Sequence, residues 1–393
     1  MGALEEFREE TRAWLAENCP PGARGPGEVS SGGNKVPVEN SDTRLWLERC
    51  AEKGFTVPTW PTEYGGAGLT KEEFLVLLEE MRGLDARVPL TGMGVTMIGP
   101  TLLEYGNEDQ KQRHLPRIAR GEIRWCQGYS EPGAGSDLAS LRTRAEDKGD
   151  HFLINGQKIW TSGAQFADWI FCLTRTDPDV PKHEGISFLL FTMDQPGVSV
   201  KPIRLISGHS PFCETFLDDA IAKKEDLVHE VNKGWTVAKR LLQHERSGIG
   251  RLAGGDIRDD ARPLPAFAKQ YVGEIDGRIT DPHLRNEIAR HAIESRAFRL
   301  TQRRTVEEAD GAKTPGPATS IFKLYGANLG KKASELRMSA MGLKGIGWDG
   351  DPFNQEEIDT TRAWLRGKAG SIAGGSNEVQ MNIIAKRVLG LPD

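Results

Sequence analysis

Hydrophobic and polar residues follow a helical period in the first third of the chain. Apolar residues recur at helical spacing over residues 4–15, and residues 42–54 predict a second helix with Asp42 as its N-cap. Two further helices are predicted from capping boxes, in which an N-cap side chain and a Glu or Gln three residues later pair with each other's backbone N–H groups. These boxes are Thr70 with Glu73 and Asn107 with Gln110.

The period changes from helical to alternating near Ile123. Short segments rich in Val, Ile, Phe and Trp now recur about every dozen residues, which is typical of a small antiparallel barrel or sandwich. These segments are 152–154, 159–160, 169–174, 186–193 and 198–203. Asn155-Gly156 favours a type I′ hairpin turn between the first two segments. The middle of the chain is therefore predicted to be a β domain.

Helical spacing returns near Gly234 and continues to the last residues. The predicted helices are 235–252, 283–307, 320–341, 355–366 and 378–389. The order of elements predicts an α+β protein in three parts. These are an N-terminal helical domain (1–122), a middle antiparallel β-barrel domain (123–232) and a C-terminal four-helix bundle (233–393).

Composition narrows the class of protein. With 393 residues the chain is long enough for two or three domains, and a net charge of −5 does not favour nucleic acid as a partner. No apolar run approaches the roughly 18 residues that a membrane-spanning helix needs. The acidic first ten residues lack the pattern of a secretory signal. Five scattered cysteines predict no metal site and fit a reducing cytoplasm.

A glycine-rich segment, Trp125 to Asp137, is the first candidate for chemistry. A strand leads into a loop whose glycines let backbone N–H groups approach a ligand, and Ser130 and Ser136 add hydroxyl donors. The loop lacks the Gly-Lys-Ser/Thr end of a nucleotide P-loop and the third glycine of a dinucleotide-binding fingerprint. A tight surface turn without a ligand explains the same composition.

Two further segments carry polar groups beside apolar ones. Trp160 and Ser162 share one face of a predicted strand, so they could stack on an aromatic ring and donate a hydrogen bond to it. A core tryptophan beside an incidental serine is the alternative. Residues 370–380 place glycines, hydroxyls and amides before the last helix, which suits an anion, although Ser376 as a simple helix cap also explains them.

Glu245 interrupts the apolar stripe of the helix predicted at residues 235–252. It lies four residues after Leu241 and four before Ile249. Turning a carboxylate inward costs about 2–7 kcal/mol unless the group is paired or its pKa rises. A raised pKa is what a general base near neutral pH requires. A structural ion pair, for example with Arg246, is the alternative.

Four segments, in this order and over nearly the whole chain, resemble the acyl-CoA dehydrogenase family. They are Tyr64–Leu69, Ser130–Asp137, Trp160–Ser162 and Gly374–Gln380. The resemblance implies FAD between the β domain and the C-terminal bundle, with a second subunit of a homo-oligomer, a dimer or tetramer, completing the site. It also implies α,β-dehydrogenation of an acyl-CoA to the trans-2-enoyl-CoA in lipid catabolism. Electrons would pass to an electron-transfer flavoprotein.

The resemblance also assigns roles to individual residues. Gln127, Tyr129 and Ser130 would line the flavin ring, Trp160 would flank it, and Ser162 would donate towards its N5. Ser136 would meet the FAD pyrophosphate region or the bound thioester. Other implied contacts are Ser376 and Glu378 with the adenosine part of FAD, and Glu245 as base with Arg246 beside it in the substrate site.

Two departures from the family pattern keep alternatives open. Gly374 stands where many members carry the catalytic Glu, and Arg258-Asp-Asp-Ala-Arg262 replaces an Arg-x-x-Phe-Gly stretch that clamps the FAD pyrophosphate in the family. One alternative is a half-site or non-catalytic subunit of a heteromeric enzyme, such as a heterotetramer. Another is a flavin monooxygenase or oxidase on the same fold. An interaction protein without a cofactor is more distant.

Overall fold

The computed structural model describes residues 2–246, 263–308 and 319–392, except the side chains of residues 243–246, 303, 305–308 and 319. The described residues divide into two compact units. The first comprises residues 2–203 and 211–245, and the second comprises residues 204–210, 246, 263–308 and 319–392. The predicted domain boundaries near residues 122 and 232 stay a prediction.

The N-terminal part of the first unit is helical, as predicted. Its helices are α1 (Ala3–Asn18), α2 (Ser41–Lys53), α3 (Lys71–Gly83), α4 (Gly99–Tyr105) and α5 (Glu108–Ala119). Both capping boxes form at the starts of α3 and α5. The N-cap of α2 is Asn40, whose Oδ1 accepts from Thr43 N at 3.0 Å, so the prediction of Asp42 was wrong. Asp42 instead accepts from Gly22 N.

A single eight-stranded sheet follows in the same unit. Its strands are β1 (Trp125–Gly128), β2 (Arg144–Asp147), β3 (His151–Ser162), β4 (Trp169–Arg175), β5 (Ile186–Thr192), β6 (Val198–Ile203), β7 (Phe212–Lys223) and β8 (Leu227–Val228). They pair in the order β6-β7-β3-β2-β4-β5-β8, and β1 pairs with β4. Because β1 and β4 run parallel, the sheet is mixed rather than antiparallel as predicted. The closed barrel stays a prediction.

The predicted turn at Asn155-Gly156 is wrong, because β3 runs straight through both residues. The register with β7 shifts there, and Gly156 has a φ of +155°. A Cβ on Gly156 would lie 2.6 Å from Thr143 Oγ1, so this glycine allows close packing rather than a turn. The hairpin between β2 and β3 is closed instead by Lys148 N donating to His151 O at 2.9 Å.

Helix α6 (Gly234–Arg246) ends the described part of the first unit and packs into its main core through Val237, Ala238 and Leu241. The second unit is largely helical. Its elements are α7 (Leu264–Val272), β9 (Glu274–Ile275), β10 (Arg278–Ile279), α8 (Pro282–Glu308), α9 (Thr319–Met341), α10 (Gln355–Gly367) and α11 (Asn377–Ile383). Helix α9 contacts α7, α8, α10 and α11. A bundle of four helices stays a prediction.

Candidate functional site

The glycine-rich loop begins where β1 ends in a tightly packed glycine. A Cβ on Gly128 would lie 2.8 Å from Ile170 Cδ1 on the neighbouring strand β4, so no larger residue fits without a shift. The next residue, Tyr129, is buried and its ring meets Phe171 and Phe188 edge-on, with centroids 6.0 and 6.4 Å apart. The entry to the loop is therefore fixed by packing against the sheet.

Strand β3 carries a bulge at Trp160. The register with β7 shifts between Lys158 and Thr161, which are both buried, and Trp160 adopts a φ of +61°. A left-handed backbone is unusual for a bulky residue and is found mostly at functional sites. The side chain is 53% exposed and rests edge-on against Phe212. The bulge thus turns a large aromatic ring outward from the sheet.

The loop and the bulged strand are joined directly. Ile159 N donates to Ser130 O at 2.8 Å, and Lys158 Nζ donates to Tyr129 O at 3.2 Å. These contacts bring the predicted residues of the loop start into one region of the first unit with those of β3. The members of that group are Gln127, Tyr129, Ser130, Trp160 and Ser162. Ser136 lies on the exposed outer part of the loop.

One buried polar group in this region has unused hydrogen-bonding capacity. Gln127 Nε2 is shut off from solvent and has no hydrogen-bond partner among the described residues. Leaving a buried donor unpaired costs about 1–3 kcal/mol, so a ligand that accepts from it would be stabilised. Together with the exposed Trp160 ring, this donor fits a flat, hydrogen-bonding ring system such as the flavin of FAD.

The loop glycines fit a cofactor for a separate reason. At Gly133 and Gly135 an added Cβ would meet nothing within 4 Å, and neither residue has a positive φ. Packing within the described chain therefore does not require glycine at either position. Close approach of a ligand to the backbone is another physical reason for glycine at these two positions.

Helix α6 presents the face that the sequence predicted. Val237, Ala238 and Leu241 are fully buried, and the backbone is helical through Arg246. The side chains of Glu245 and Arg246 lie outside the described residues, so the base and its neighbour stay predictions. Helix α6 is also tied to α4 by Arg240 and Glu104, whose Nε and Oε2 lie 2.6 Å apart.

In the second unit, Ser376 is the N-cap of α11. Its Oγ accepts from Val379 N at 3.3 Å, after Gly374 and Gly375 with φ values of +64° and +87°. The capping interpretation is therefore confirmed. Glu378 is exposed, and its pKa is lowered by its own backbone N–H and by the Ser376 hydroxyl. Contact of Ser376 and Glu378 with FAD stays a prediction.

Other expectations concern metal, membrane and the pyrophosphate clamp. Within the described ranges, no three or more His, Cys, Asp or Glu side chains form a group that could hold a metal ion. None of the helices in those ranges combines the length and apolar character needed to cross a membrane. The Arg258 to Arg262 segment lies outside the described residues.

Comparison with known families decides the identity of the fold. Models of the acyl-CoA dehydrogenase N-terminal, middle and C-terminal domains match residues 3–122, 126–220 and 232–389. The chain belongs to the acyl-CoA dehydrogenase family. Members of this family are FAD-dependent flavoproteins, and the protein is an oxidoreductase acting on acyl-CoA.

Individual relatives cover the full length of this acyl-CoA dehydrogenase. The acyl-CoA dehydrogenase IpdE1 of Mycobacterium tuberculosis is 38% identical, over 100% of this chain and 99% of its own. A solved structure named Tcur3481-Tcur3483 steroid ACAD is 33% identical, with a TM-score of 0.77 over 99% of this chain and 98% of its own. The ChsE4-ChsE5 complex from Mycobacterium tuberculosis is 29% identical, with a TM-score of 0.74 over 100% and 98%.

Sequence reasoning missed two residues of this region, Lys158 and Glu131. Both are charged, so the hydrophobic pattern gave them no inward position, yet both are buried. The spacing of residues along β3 could have indicated that Lys158 is buried. Lys158 lies four residues after the buried Ile154 on one strand, a position that faces inward in a regular strand of period two.

Proposed function

We propose that this protein removes one hydrogen from the α carbon and one from the β carbon of an acyl-CoA, giving the trans-2-enoyl-CoA. The observation that carries the proposal is the exposed, left-handed Trp160 of β3, with the unpaired Gln127 donor on the contacting strand β1. An exposed ring and a buried donor in one region match a ring cofactor and do not serve the core. FAD, when bound, accepts the hydride that leaves the β carbon.

The residues of the first unit would hold and orient the flavin. Trp160 would cover the ring and exclude water, and Gln127 would donate to its polar edge. The hydroxyls of Ser130 and Ser162 are half-buried and have no partner in the part of the chain that the structure describes. Each hydroxyl can therefore donate to the cofactor without breaking a contact within those ranges.

Glu245 would take the α-proton. The register of α6 puts position 245 seven residues after Ala238 and four after Leu241, in line with two buried residues of that helix. As the α C–H bond breaks, its proton passes to the carboxylate, and its electron pair forms the double bond while the β-hydride leaves. Gly374, where many members carry the base, has no group that accepts a proton. Arg246 would lie beside the substrate.

An open groove that begins just after the loop, at Ser140, supports binding of a coenzyme A ester. Its volume is about 470 Å³, and it is lined by the cations Arg142, Arg144, Arg175 and Lys182 together with the acidic Glu146 and Asp147. Lys182 is paired with Asp137, whose pKa it lowers, while Arg175 binds backbone carbonyl groups. Coenzyme A carries several phosphate groups, and guanidinium groups bind phosphate well.

A heteromeric enzyme is the second candidate. Two neighbours are named as pairs of chains, Tcur3481-Tcur3483 and ChsE4-ChsE5, and the first is named a steroid ACAD. By this analogy, a different partner chain would complete the FAD site, and the acyl group would be bulky and polycyclic. With Glu245 proposed as the base, the lack of a side chain at Gly374 would suit such a group. Electrons would pass to an electron-transfer flavoprotein.

A thioester panel tests the proposal. The chain, produced alone and with a candidate partner chain, is mixed anaerobically with straight, branched and polycyclic acyl-CoA esters, and flavin bleaching is followed at about 450 nm. Bleaching with product formation in the single chain favours the homo-oligomer, and bleaching only in the pair favours the heteromer. A flavin that no thioester bleaches, and that reacts rapidly with oxygen once reduced, would contradict dehydrogenation.

A further inference from the structure

A lysine ammonium group lies inside the sheet directly behind the glycine-rich loop. Lys158 is 0% exposed, and its Nζ lies 2.8 Å from Glu131 Oε1 and 3.2 Å from Tyr129 O. Burying a charge is costly unless it is paired and hydrogen-bonded, and both partners here come from the loop. The loop is therefore tied to β3 by a charge that has no access to water.

Glu131 extends this tie to the far end of the loop. Its Oε2 accepts from Arg142 N at 2.7 Å, and its Oε1 accepts from Thr143 N at 2.9 Å. Burial alone would raise the pKa of Glu131, but Lys158 and these N–H groups lower it below its ordinary value. The carboxylate stays ionised and closes the base of the loop over residues 131–142.

The same contacts fix the peptide groups on both sides of Ser130. In a trans peptide the C=O and N–H bonds point in opposite directions. Because Tyr129 O accepts from Lys158, the N–H of Ser130 is directed away from the buried ammonium. Ser130 O accepts from Ile159 N, so the following peptide is fixed as well.

Stability alone is a weak reason for such a pair. Replacing a buried ion pair by apolar residues of similar volume is often neutral or stabilising. An apolar pair, however, could not donate to the Tyr129 carbonyl and would leave the Ser130 peptide free to rotate. The Lys158–Glu131 pair therefore differs from an apolar pair in one respect: it fixes the orientation of the peptide between Tyr129 and Ser130.

We propose that Lys158 is a positioning residue for the flavin site, acting through the Tyr129 carbonyl to present Ser130, with Glu131 as the counter-ion that allows it to be buried. The inference rests on the proposed function, since it takes Ser130 as a cofactor contact. Lys158 itself touches neither cofactor nor substrate in this proposal.

The test is FAD affinity. In the full chain, purified with any partner chain that it needs, Lys158→Met should raise the FAD dissociation constant about tenfold or more, as expected for loss of a charge-assisted hydrogen bond that orders a binding group. The dissociation constant is measured by quenching of flavin fluorescence. The double variant Glu131→Gln with Lys158→Met removes the uncompensated charge and should regain thermal stability, yet keep the weakened FAD affinity.

A matched control breaks an ion pair elsewhere in the same unit. Arg113 Nη1 lies 2.8 Å from Asp226 Oδ1, and Asp226 is buried, so Arg113→Met also leaves a buried carboxylate without its partner. This variant should lose stability while its FAD dissociation constant stays within about threefold of wild type, a change below that of one net hydrogen bond. The comparison separates positioning from a general loss of stability.

Three outcomes would overturn the positioning role. One is a double variant with wild-type FAD affinity, and another is a double variant that fails to fold, which would make the pair a requirement of the fold. The third is a control that loses FAD as strongly as Lys158→Met. A wild-type chain that binds no FAD would refute the proposed function as well, whereas a yellow, active wild type with any of the three results leaves that function standing.

Discussion

The predicted site residues fall into two groups, a β half and a helical half, that are built in different ways. The β half, residues 125–163, is shaped by contacts between distant segments, such as Ile159 with Ser130 and Gly128 with Ile170. The helical half depends on local signals, namely the register of α6 and the Ser376 cap of α11. A change in the β half should therefore disturb cofactor binding together with the fold. A change in the helical half should alter chemistry or one helix end alone.

The largest effect is expected in the helical half, where loss of the proposed base should slow flavin reduction without releasing FAD. Glu245→Gln keeps the size of the side chain but removes the proton acceptor, so FAD should stay bound while its reduction by substrate slows about 10²- to 10⁴-fold. Stopped-flow absorbance at the flavin band measures this rate. The exposed Lys239→Gln on the same helix is the matched control and should keep the wild-type rate. Full activity in Glu245→Gln would remove the base assignment.

A buried histidine of α5 that packs against the β half should make the stability of the first unit depend on pH. Behind Trp125, the first residue of β1, His114 lies edge-on to Trp125 and Trp169. Burial, and then the charges of Arg113 and Arg117, lower the pKa of His114 to about 4. The stabilisation is present above the unfolded pKa of about 6.5, and about 3 kcal/mol is lost as pH falls from there to about 4.

Denaturant titrations between pH 7 and pH 4 test this expectation. In that window the unfolded chain binds a proton at His114 and the folded chain does not. Asp226 Oδ1 lies 4.0 Å from His114 Nε2, and burial raises the pKa of Asp226, so this carboxylate also contributes to the pH dependence. Measuring in the Asp226→Asn background leaves the contribution of His114 alone. His114→Phe should flatten the profile, whereas the exposed His183→Gln should not. An unchanged slope in His114→Phe would refute the account.

A smaller effect is expected at Ser162, a predicted flavin contact in the β half. Ser162→Ala would remove the proposed neutral hydrogen bond to the flavin and should slow its reduction about threefold to tenfold, in line with about 1 kcal/mol for such a bond. The same single-turnover assay measures it, with the exposed Ser199→Ala of β6 as control. Equal rates in both variants would place Ser162 outside the flavin contacts.

The smallest effect should be confined to one helix end. Ser376→Ala removes the cap of α11 and should cost about 1 kcal/mol, visible as faster amide hydrogen exchange in the first turn of α11. Ser376→Thr keeps a capping hydroxyl and should exchange at nearly the wild-type rate. If the threonine variant exchanges as fast as the alanine variant, capping is not the role of this side chain.

Local signals were readable from the sequence, and contacts between distant residues were not. The capping boxes at Thr70 and Asn107 form as predicted, because each depends on residues only three apart. The turn predicted at Asn155-Gly156 was wrong, since the glycine is required by close packing against Thr143, the residue before β2. Strand β7 was not predicted from the sequence, although it pairs with β3 on one side and with β6 on the other.

The site followed the same rule. The motif residues 127–130 and 160–162 lie in one region of the first unit, while their contact with FAD stays a prediction. The part of the region that was not predicted is the buried ion pair of Lys158 and Glu131. Spacing along the strand gives Lys158 an inward position, but it does not predict that Glu131 accepts three hydrogen bonds, one each from Lys158, Arg142 and Thr143. Ion pairs inside a sheet depend on strand register, which only the folded chain defines.

The left-handed backbone at Trp160 has a consequence for engineering. Glycine adopts that conformation without strain, so a library of variants selected only for heat resistance should enrich glycine at position 160. The selected glycine variants would bind FAD weakly or be poorly active, because they would lack the Trp160 ring proposed to cover the flavin. Selection for thermal tolerance in this enzyme therefore needs a simultaneous screen for yellow colour.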